Sequence, residues 1–200
     1  MKVVVRALVD LGPELVLAPE RYLAEASAGE GIPLSDLVTV RTEQAPPGVV
    51  LDTTHAKDGL LDVTGALRSP ATAKSTKRAV HPGDVIVSRL RPYLRQIAFV
   101  HPAALAQAKR PLAVSSEFFV LAPRGDDPIA FLVPFLLGER AQSVLAAAQE
   151  GGHHPRVPRE SLLALRVPAG LVATRNESSK AVVRALDEVY RANARWNALL

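Results

Sequence analysis

The chain has 200 residues, of which 48% are hydrophobic and 22% charged, and its formal net charge is +4. A chain of this length and apolar content fits one domain of ordinary size with a sizeable core, or such a domain with a helical appendage. It contains no cysteine, which excludes a disulfide framework, a thiolate metal site and a thiol nucleophile.

The first third of the sequence predicts short strands separated by turns. β-Branched residues dominate positions 2–8 and 15–17, and positions 20–28 favour a short helix. Further on, Val49–Leu51 and Leu60–Val63 are candidate strands on either side of a Lys-Asp-Gly turn. The opening residues are too few and too often charged for a signal or transmembrane segment, so we expect a soluble, cytoplasmic protein without membrane contact.

The run HPGDVIVSRLRPYLRQIAFV, residues 81–100, predicts a hairpin-like unit. Apolar strands at Val85–Val87 and Ile97–Val100 flank a centre in which Pro92 interrupts any continuous ladder. Guanidiniums clustered on a rigid element suit phosphate oxygens and guanine edges, and a surface hairpin with solvated arginines is the alternative. The bend presents three guanidiniums and a phenol, those of Arg89, Arg91, Tyr93 and Arg95.

Positive charge is concentrated in and before this run. Seven Lys or Arg lie between positions 68 and 95, against the single acid Asp84. Clustered positive charge is typical of proteins that bind a polyanion, so Lys77 and Arg78 join the candidate binding residues. For Lys74 and Lys77, solvation of a loop is an equally good explanation.

Residues 128–167, which precede the C-terminal segment, are predicted to form helices and one strand. Residues 128–138 and 139–150 favour helices that end at Gly151 and Gly152, and a helical turn at Ser161–Ala164 precedes a strand at Leu165–Val167. Strands and helices mix without regular alternation along the chain. This order predicts an α+β fold, or an irregular α/β one, rather than a doubly wound sheet.

The glycines after the second helix lead into another candidate site, formed by His153, His154 and Arg156. Glycines permit close approach of the backbone to a ligand, and these three side chains suit contact with phosphates or bases. Adjacent histidines can also bind a metal or shuttle protons, but Glu150 is the only acid close to them in sequence. A loop that merely ends a helix is the third alternative.

The C-terminal segment predicts one helix that begins at the N-cap Asn176 and runs to Leu200. Its apolar residues recur with the heptad spacing of a coiled coil, and Asn193 occupies the one seam position that is not apolar. A buried amide at such a position sets the register of the two helices and the choice of partner. The seam predicts dimerisation through a coiled coil, and packing of the helix on its own domain is the alternative. We therefore divide the chain into a globular domain, 1–172, and a pairing helix, 176–200. The apolar members of the seam are Val182, Leu186, Val189, Trp196 and Leu200.

No enzyme motif is present in the sequence. It lacks a glycine-rich phosphate loop, a Gly-x-Gly-x-x-Gly fingerprint, a Gly-x-Ser-x-Gly elbow and a His-Glu-x-x-His pair. Glu117 is followed by Phe118 and Phe119, so the Glu-x-Lys pair of a metal-dependent nuclease is missing as well. We expect no catalytic residue, no metal and no cofactor.

Five segments form a further pattern along the chain: Leu34–Val38 (LSDLV), Gly83–Arg89 (GDVIVSR), Ser116–Leu121 (SEFFVL), and the closing pair 151–156 and Leu162–Pro168 (LLALRVP). In this order, they resemble segments of target recognition domains in the specificity subunits of type I restriction–modification systems. The resemblance covers about residues 20–170. It departs from the family where His153, His154 and Pro155 replace a usual polar stretch, and where the usual PLPxxEQ tail is absent.

The resemblance implies a single target recognition domain with one helix, half of a complete specificity subunit. Such a half would bind double-stranded DNA, pair with itself or with a second half-subunit, and position a DNA methyltransferase subunit without cutting or methylating DNA itself. The alternative is a protein-interaction subunit of a defence complex that kept the fold and lost sequence-specific DNA reading.

Overall fold

The computed structural model describes residues 30–68, 77–151 and 155–199. The elements predicted at 2–8, 15–17 and 20–28 lie outside the described residues, as do His153, His154 and Leu200. The strands are β1 (Ile32–Pro33), β2 (Val38–Arg41), β3 (Val49–Leu51), β4 (Ala56–Lys57), β5 (Leu60–Leu61), β6 (Arg78–Ala79), β7 (Val85–Ser88), β8 (Ile97–Phe99), β9 (Leu112–Val114), β10 (Phe118–Pro123) and β11 (Arg166–Val167). The helices are α1 (Leu34–Leu37), α2 (Val63–Arg68), α3 (Pro102–Ala108), α4 (Leu132–Leu137), α5 (Glu139–Ala147), α6 (Arg159–Leu163), α7 (Ala169–Ala173) and α8 (Arg175–Asn197).

An antiparallel sheet with the strand order β2-β10-β7-β8 forms the centre of the fold. The predicted hairpin is confirmed, because β7 and β8 pair with Val85 opposite Phe99 and Val87 opposite Ile97. A second sheet, β3-β9-β6, joins β3 and β9 in parallel, and the short pairs β1-β11 and β4-β5 complete the described strands. This mixture confirms the predicted α+β class.

Two hydrophobic cores lie on opposite faces of the central sheet. Val85 and Val87 belong to the first core, and Ile86 between them belongs to the second. Side chains alternate between the faces of a strand, so a strand covered on both sides reads as a continuous apolar run. Helices α4 and α5 contribute to the first core, and α2 and α3 to the second.

The predicted strand Leu60–Val63 is shorter than expected. Strand β5 ends at Leu61, and helix α2 begins at Val63. The reason is Asp62, whose carboxylate accepts a hydrogen bond from the backbone N–H of Gly65 at 2.8 Å. A side-chain oxygen in this position satisfies an unpaired N–H of the first turn and so starts a helix.

The C-terminal helix begins two residues earlier than predicted: its first residue is Arg175 and its N-cap is Thr174, whereas the predicted N-cap is Asn176. Helix α7 ends directly before it, so the chain enters α8 from a preceding helical turn instead of from an extended cap. Leu186 is buried in the first core, with Val182 packed against it, so the first part of the helix is integrated in the globular domain. None of the described helices is both long enough and apolar enough to cross a bilayer.

Candidate nucleic-acid interface

The Gly-Asp turn before β7 ties the hairpin to β2, the strand at the far edge of the central sheet. Asp84 is fully buried, and Arg41 on β2 donates hydrogen bonds from Nε and Nη2 to its two carboxylate oxygens, each at 3.1 Å. The same carboxylate accepts the backbone N–H of His81 at 2.8 Å. Gly83 has a φ of +92°, a value that glycine adopts without strain. These contacts hold the start of β7 in place against β2.

The bend of the hairpin is a compact turn with two residues in the left-handed region. Ser88 Oγ accepts the backbone N–H of Leu90 at 3.1 Å, and Pro92–Leu94 form a single 3₁₀ turn. Arg91 before this turn has a φ of 43°, and Arg95 after it has a φ of 55°. Non-glycine residues in this region are strained, and such strain is concentrated at functional sites.

The structure brings the hairpin and the 151–156 loop together. Leu90 and Arg156 form an antiparallel bridge, and the backbone N–H of Val157 donates to the carbonyl of Arg89 at 2.8 Å. A second bridge joins Glu150 to Arg156 and closes the loop on itself. Two stretches that the sequence singled out separately thus line one surface.

An open cleft of about 530 Å³ lies where these two segments meet. We call it the arginine cleft, after its four arginines. Carboxylates share the lining with the guanidiniums, so the surface is not uniformly positive. Its residues are Arg78, Arg89, Arg156 and Arg159, with Phe119, Glu150, Gly151, Pro158 and Glu160.

Three of the four arginines are held in defined positions. The guanidinium of Arg89 lies over the ring of Phe119, 5.5 Å from its centroid, and its buried Nε has no hydrogen-bond partner among the described residues. Arg78 Nη1 donates to the carbonyl of Phe118 at 3.2 Å. Arg156 donates from Nε and Nη2 to Glu117, at 3.0 and 2.8 Å. Those hydrogen bonds and the charge of Glu117 raise the pKa of the Arg156 side chain above its ordinary value.

Not every predicted residue lines the cleft. Arg95 instead contacts other parts of the domain: it pairs with Asp58 at 2.8 Å and donates to the carbonyl of Leu137 at 3.0 Å. Arg91 and Tyr93 are exposed at the tip of the hairpin. Lys77 is half-buried beside β6. His153 and His154 belong to the same loop but lie outside the described residues.

Sequence reasoning missed Arg159, Phe119 and Glu117 as parts of this site. Phe119 had a detectable pattern, since it alternates with Phe118 on a strand and so had to face the opposite side. Glu117 was considered only as a nuclease carboxylate, whereas here it orients Arg156. Nothing local distinguishes Arg159 from a solvated arginine.

The predicted seam on the C-terminal helix is divided. Leu186 is buried in the domain and Val182 is half-buried against it, so these two do not form a free pairing surface. Val189 and Trp196 are 36% and 62% exposed, and Asn193 is exposed between them. Among the described members of the predicted seam, only those from Val189 onward are therefore exposed.

The described residues contain no group of three or more His, Cys, Asp or Glu placed to hold a metal ion.

No family model matches the chain, and no curated protein matches it. Among solved structures, it is similar to a chain from the work described as "Structural basis underlying complex assembly and conformational transition of the type I R-M system", with a TM-score of 0.56 and 21% identity. The match covers 82% of this chain and 44% of that one. The resemblance to type I restriction–modification proteins is thereby confirmed at the level of the fold, and this chain spans less than half the length of its neighbour.

Proposed function

We propose that this protein is a DNA-binding specificity module of a restriction–modification or related defence system. In this role it reads a short sequence in double-stranded DNA and positions a methyltransferase subunit there, without catalysing a reaction itself. The observation that carries the proposal is the arginine cleft, in which the hairpin bend and the 151–156 loop meet.

The chemistry of the cleft fits DNA. Guanidiniums bind phosphate oxygens and the O6 and N7 acceptors of guanine, and one bidentate contact to guanine contributes roughly 1–3 kcal/mol of discrimination. Arg89 is the strongest candidate for such a contact. Its side chain lines the cleft, and its guanidinium is oriented by the Phe119 ring.

The carboxylates favour selective over indiscriminate binding. Glu150 and Glu160 share the lining with the arginines. A phosphate placed against either would be repelled, whereas a glutamate accepts a hydrogen bond from the N4 amino group of cytosine. Mixed charge of this kind suits a ligand with donors and acceptors in a fixed pattern, such as the edge of a base pair.

The test is binding to duplexes recovered by selection from a random pool. We expect the wild-type chain to bind a selected duplex orders of magnitude more tightly than a scrambled one. The double variant R89A/R91A should weaken binding and reduce the slope of log affinity against log salt by about 0.9 for each lost phosphate contact. R184A, which removes an exposed arginine of α8, is the matched control and should change neither quantity.

Arg95 is left out of this variant because its side chain braces the hairpin, so its loss would confuse folding with binding. Equal, shallow and salt-sensitive binding of all duplexes would contradict the proposal. It would favour instead an interaction subunit that does not read sequence.

The proposed partner is tested separately. The purified chain should neither methylate nor cleave DNA, with or without Mg²⁺ and S-adenosylmethionine. It should co-purify with a methyltransferase subunit encoded beside it. Reproducible turnover that disappears in H153A/H154A would contradict the non-catalytic assignment.

A further inference from the structure

The tip of the hairpin exposes two large side chains next to each other. Tyr93 is 66% exposed and Leu94 is 38% exposed, although most large apolar side chains of the described chain are buried. Both lie on the 3₁₀ turn, between the left-handed residues Arg91 and Arg95. Exposed aromatic and aliphatic side chains on one turn form a small surface suited to contact with another molecule.

The turn that carries these side chains is held rigid from within. Pro92 is buried at its base, the N–H of Leu94 donates to the carbonyl of Arg91 at 2.9 Å, and the N–H of Arg95 donates to the carbonyl of Pro92 at 2.8 Å. A preorganised projection loses little conformational freedom when it binds, so it can insert where a mobile loop would not.

The side chain of Arg95 adds a brace from outside the turn. It is bonded to Asp58 on one side and to the carbonyl of Leu137 on the other, which ties the tip to two other parts of the domain. Asp58 itself has a φ of 48°. Three non-glycine residues in the left-handed region around one tip indicate that the surrounding contacts impose its shape.

The charge beside the tip indicates what it contacts. Arg91 is exposed directly before the turn, and Arg89, two residues earlier, lines the arginine cleft. An apolar or aromatic side chain flanked by cations is the arrangement with which proteins open a base step or stack on a base while holding the adjacent phosphates.

We infer that the tip is a wedge: Tyr93 stacks on the face of a base at a step opened in the bound duplex, and Leu94 fills the space beside it. The inference rests on the proposed function, because it places the wedge beside DNA held in the arginine cleft. A base step that unstacks easily would then be favoured at this position of the DNA site, although no hydrogen bond from the protein distinguishes the bases there.

The experiment uses a duplex recovered by selection, with 2-aminopurine placed at one purine position after another. Wild-type protein should raise the fluorescence at one step, where the base is unstacked. Y93F should preserve the rise because stacking needs only the ring, and Y93A should abolish it and weaken binding roughly 5- to 100-fold. L67A, which removes an exposed apolar side chain of α2, should behave as wild type.

The outcomes separate this inference from the proposed function. Wild-type protein that discriminates no duplex from another defeats both. Sequence-specific binding without a fluorescence rise at any position, and with Y93A as tight as wild type, leaves the proposed function standing and overturns the wedge. The wedge is equally overturned if Y93A binds DNA normally but no longer co-purifies with the methyltransferase subunit, because the tip would then be a protein contact.

Discussion

Asp84 shows how one residue in the basic run serves structure rather than binding. Its carboxylate is fully buried and is bonded to Arg41 and to the N–H of His81. The side chain of Arg41 is only 26% exposed. If one partner of the pair is removed, little water can reach the other to replace it. A buried charge without its partner is strongly destabilising.

We therefore expect D84A to lower the free energy of unfolding by about 3 kcal/mol. D58N is the matched control, since the pair between Asp58 and Arg95 is half-exposed on both sides and should contribute less than about 1 kcal/mol. Urea denaturation of both variants beside the wild type checks this. Equal losses in the two variants would show that burial does not set the strength of these pairs.

His101 is the second residue whose surroundings govern its behaviour. The ring is buried and stacks on Tyr190 of α8, with the centroids 5.0 Å apart. Its Nδ1 accepts the N–H of Ala103 at 3.2 Å and caps helix α3, while Nε2 lies 3.4 Å from Asp187. Burial lowers the pKa of His101 below its ordinary value of 6.5, and the Asp187 charge only partly opposes that shift.

A lowered pKa in the folded state makes stability depend on pH in one direction. The unfolded chain binds the proton more readily, so this contribution is complete above about pH 6.5 and declines as the pH falls towards the folded-state pKa. We expect the loss of stability between pH 7.5 and 5.5 to be larger in wild type than in H101N, whose amide still caps the helix. Urea midpoints at both pH values test this, and an identical loss in the two proteins would contradict it.

The guanidiniums of the basic run show what sequence can and cannot assign. Arg89, Arg91 and Arg95 look equivalent in the sequence, yet Arg89 lines the cleft, Arg91 points into solvent and Arg95 braces the turn. The difference arises because Asp58 and Leu137 are distant in sequence and near in space. Local pattern located the cluster but not the role of each member.

At the scale of elements, the C-terminal helix has two parts with different surroundings. Ser179 is buried and accepts the N–H of Phe131 at 3.1 Å, Leu186 is buried in the first core, and Tyr190 packs against both cores. Residues 191–199 are all exposed. Apolar residues spaced three and four apart are common both to coiled coils and to helices packed on a domain. The sequence pattern therefore does not distinguish the buried part of the helix from the exposed part.

The division predicts different costs for two leucines of the same helix. L186A should lower the free energy of unfolding by about 2–3 kcal/mol, because it leaves a cavity in the first core. L199A should change it by less than about 0.5 kcal/mol, since that side chain is 79% exposed. Denaturation at low protein concentration measures both, and a small effect of L186A would mean that the helix is not held on the domain.

The hairpin and the 151–156 loop were each singled out in the sequence, but the contact between them was not predicted. Two apolar strands around a Pro-containing bend form a local pattern, and the structure pairs them as expected. The bridge between Leu90 and Arg156 joins positions far apart in the chain, and nothing in either segment encodes the other. Segment order and mixed composition sufficed for the fold class, but the cleft depends on this long-range pairing.

At the scale of the whole molecule, the end of α8 is an exposed surface of the described part of the chain. Val189, Asn193 and Trp196 follow one another at spacings of four and three along it, and all three are exposed. An isolated helical end of this kind gains stability by packing against another helix. Leu186 and Val182 pack inside the domain and are not available for pairing. A pair of helices would therefore use only these last turns.

We therefore predict that two copies associate through the exposed end of α8. An antiparallel pair would hold two recognition domains apart and give a two-part DNA site. Asn193 need not meet its own copy in such a pair, so pairing with a different half-subunit is the alternative. Light scattering over a concentration series up to tens of micromolar tests this, with a truncation after Arg191 that keeps Leu186 and Tyr190 in place. Association that disappears on truncation and in W196D supports the prediction; a full chain that stays monomeric and binds a single undivided DNA site excludes self-pairing.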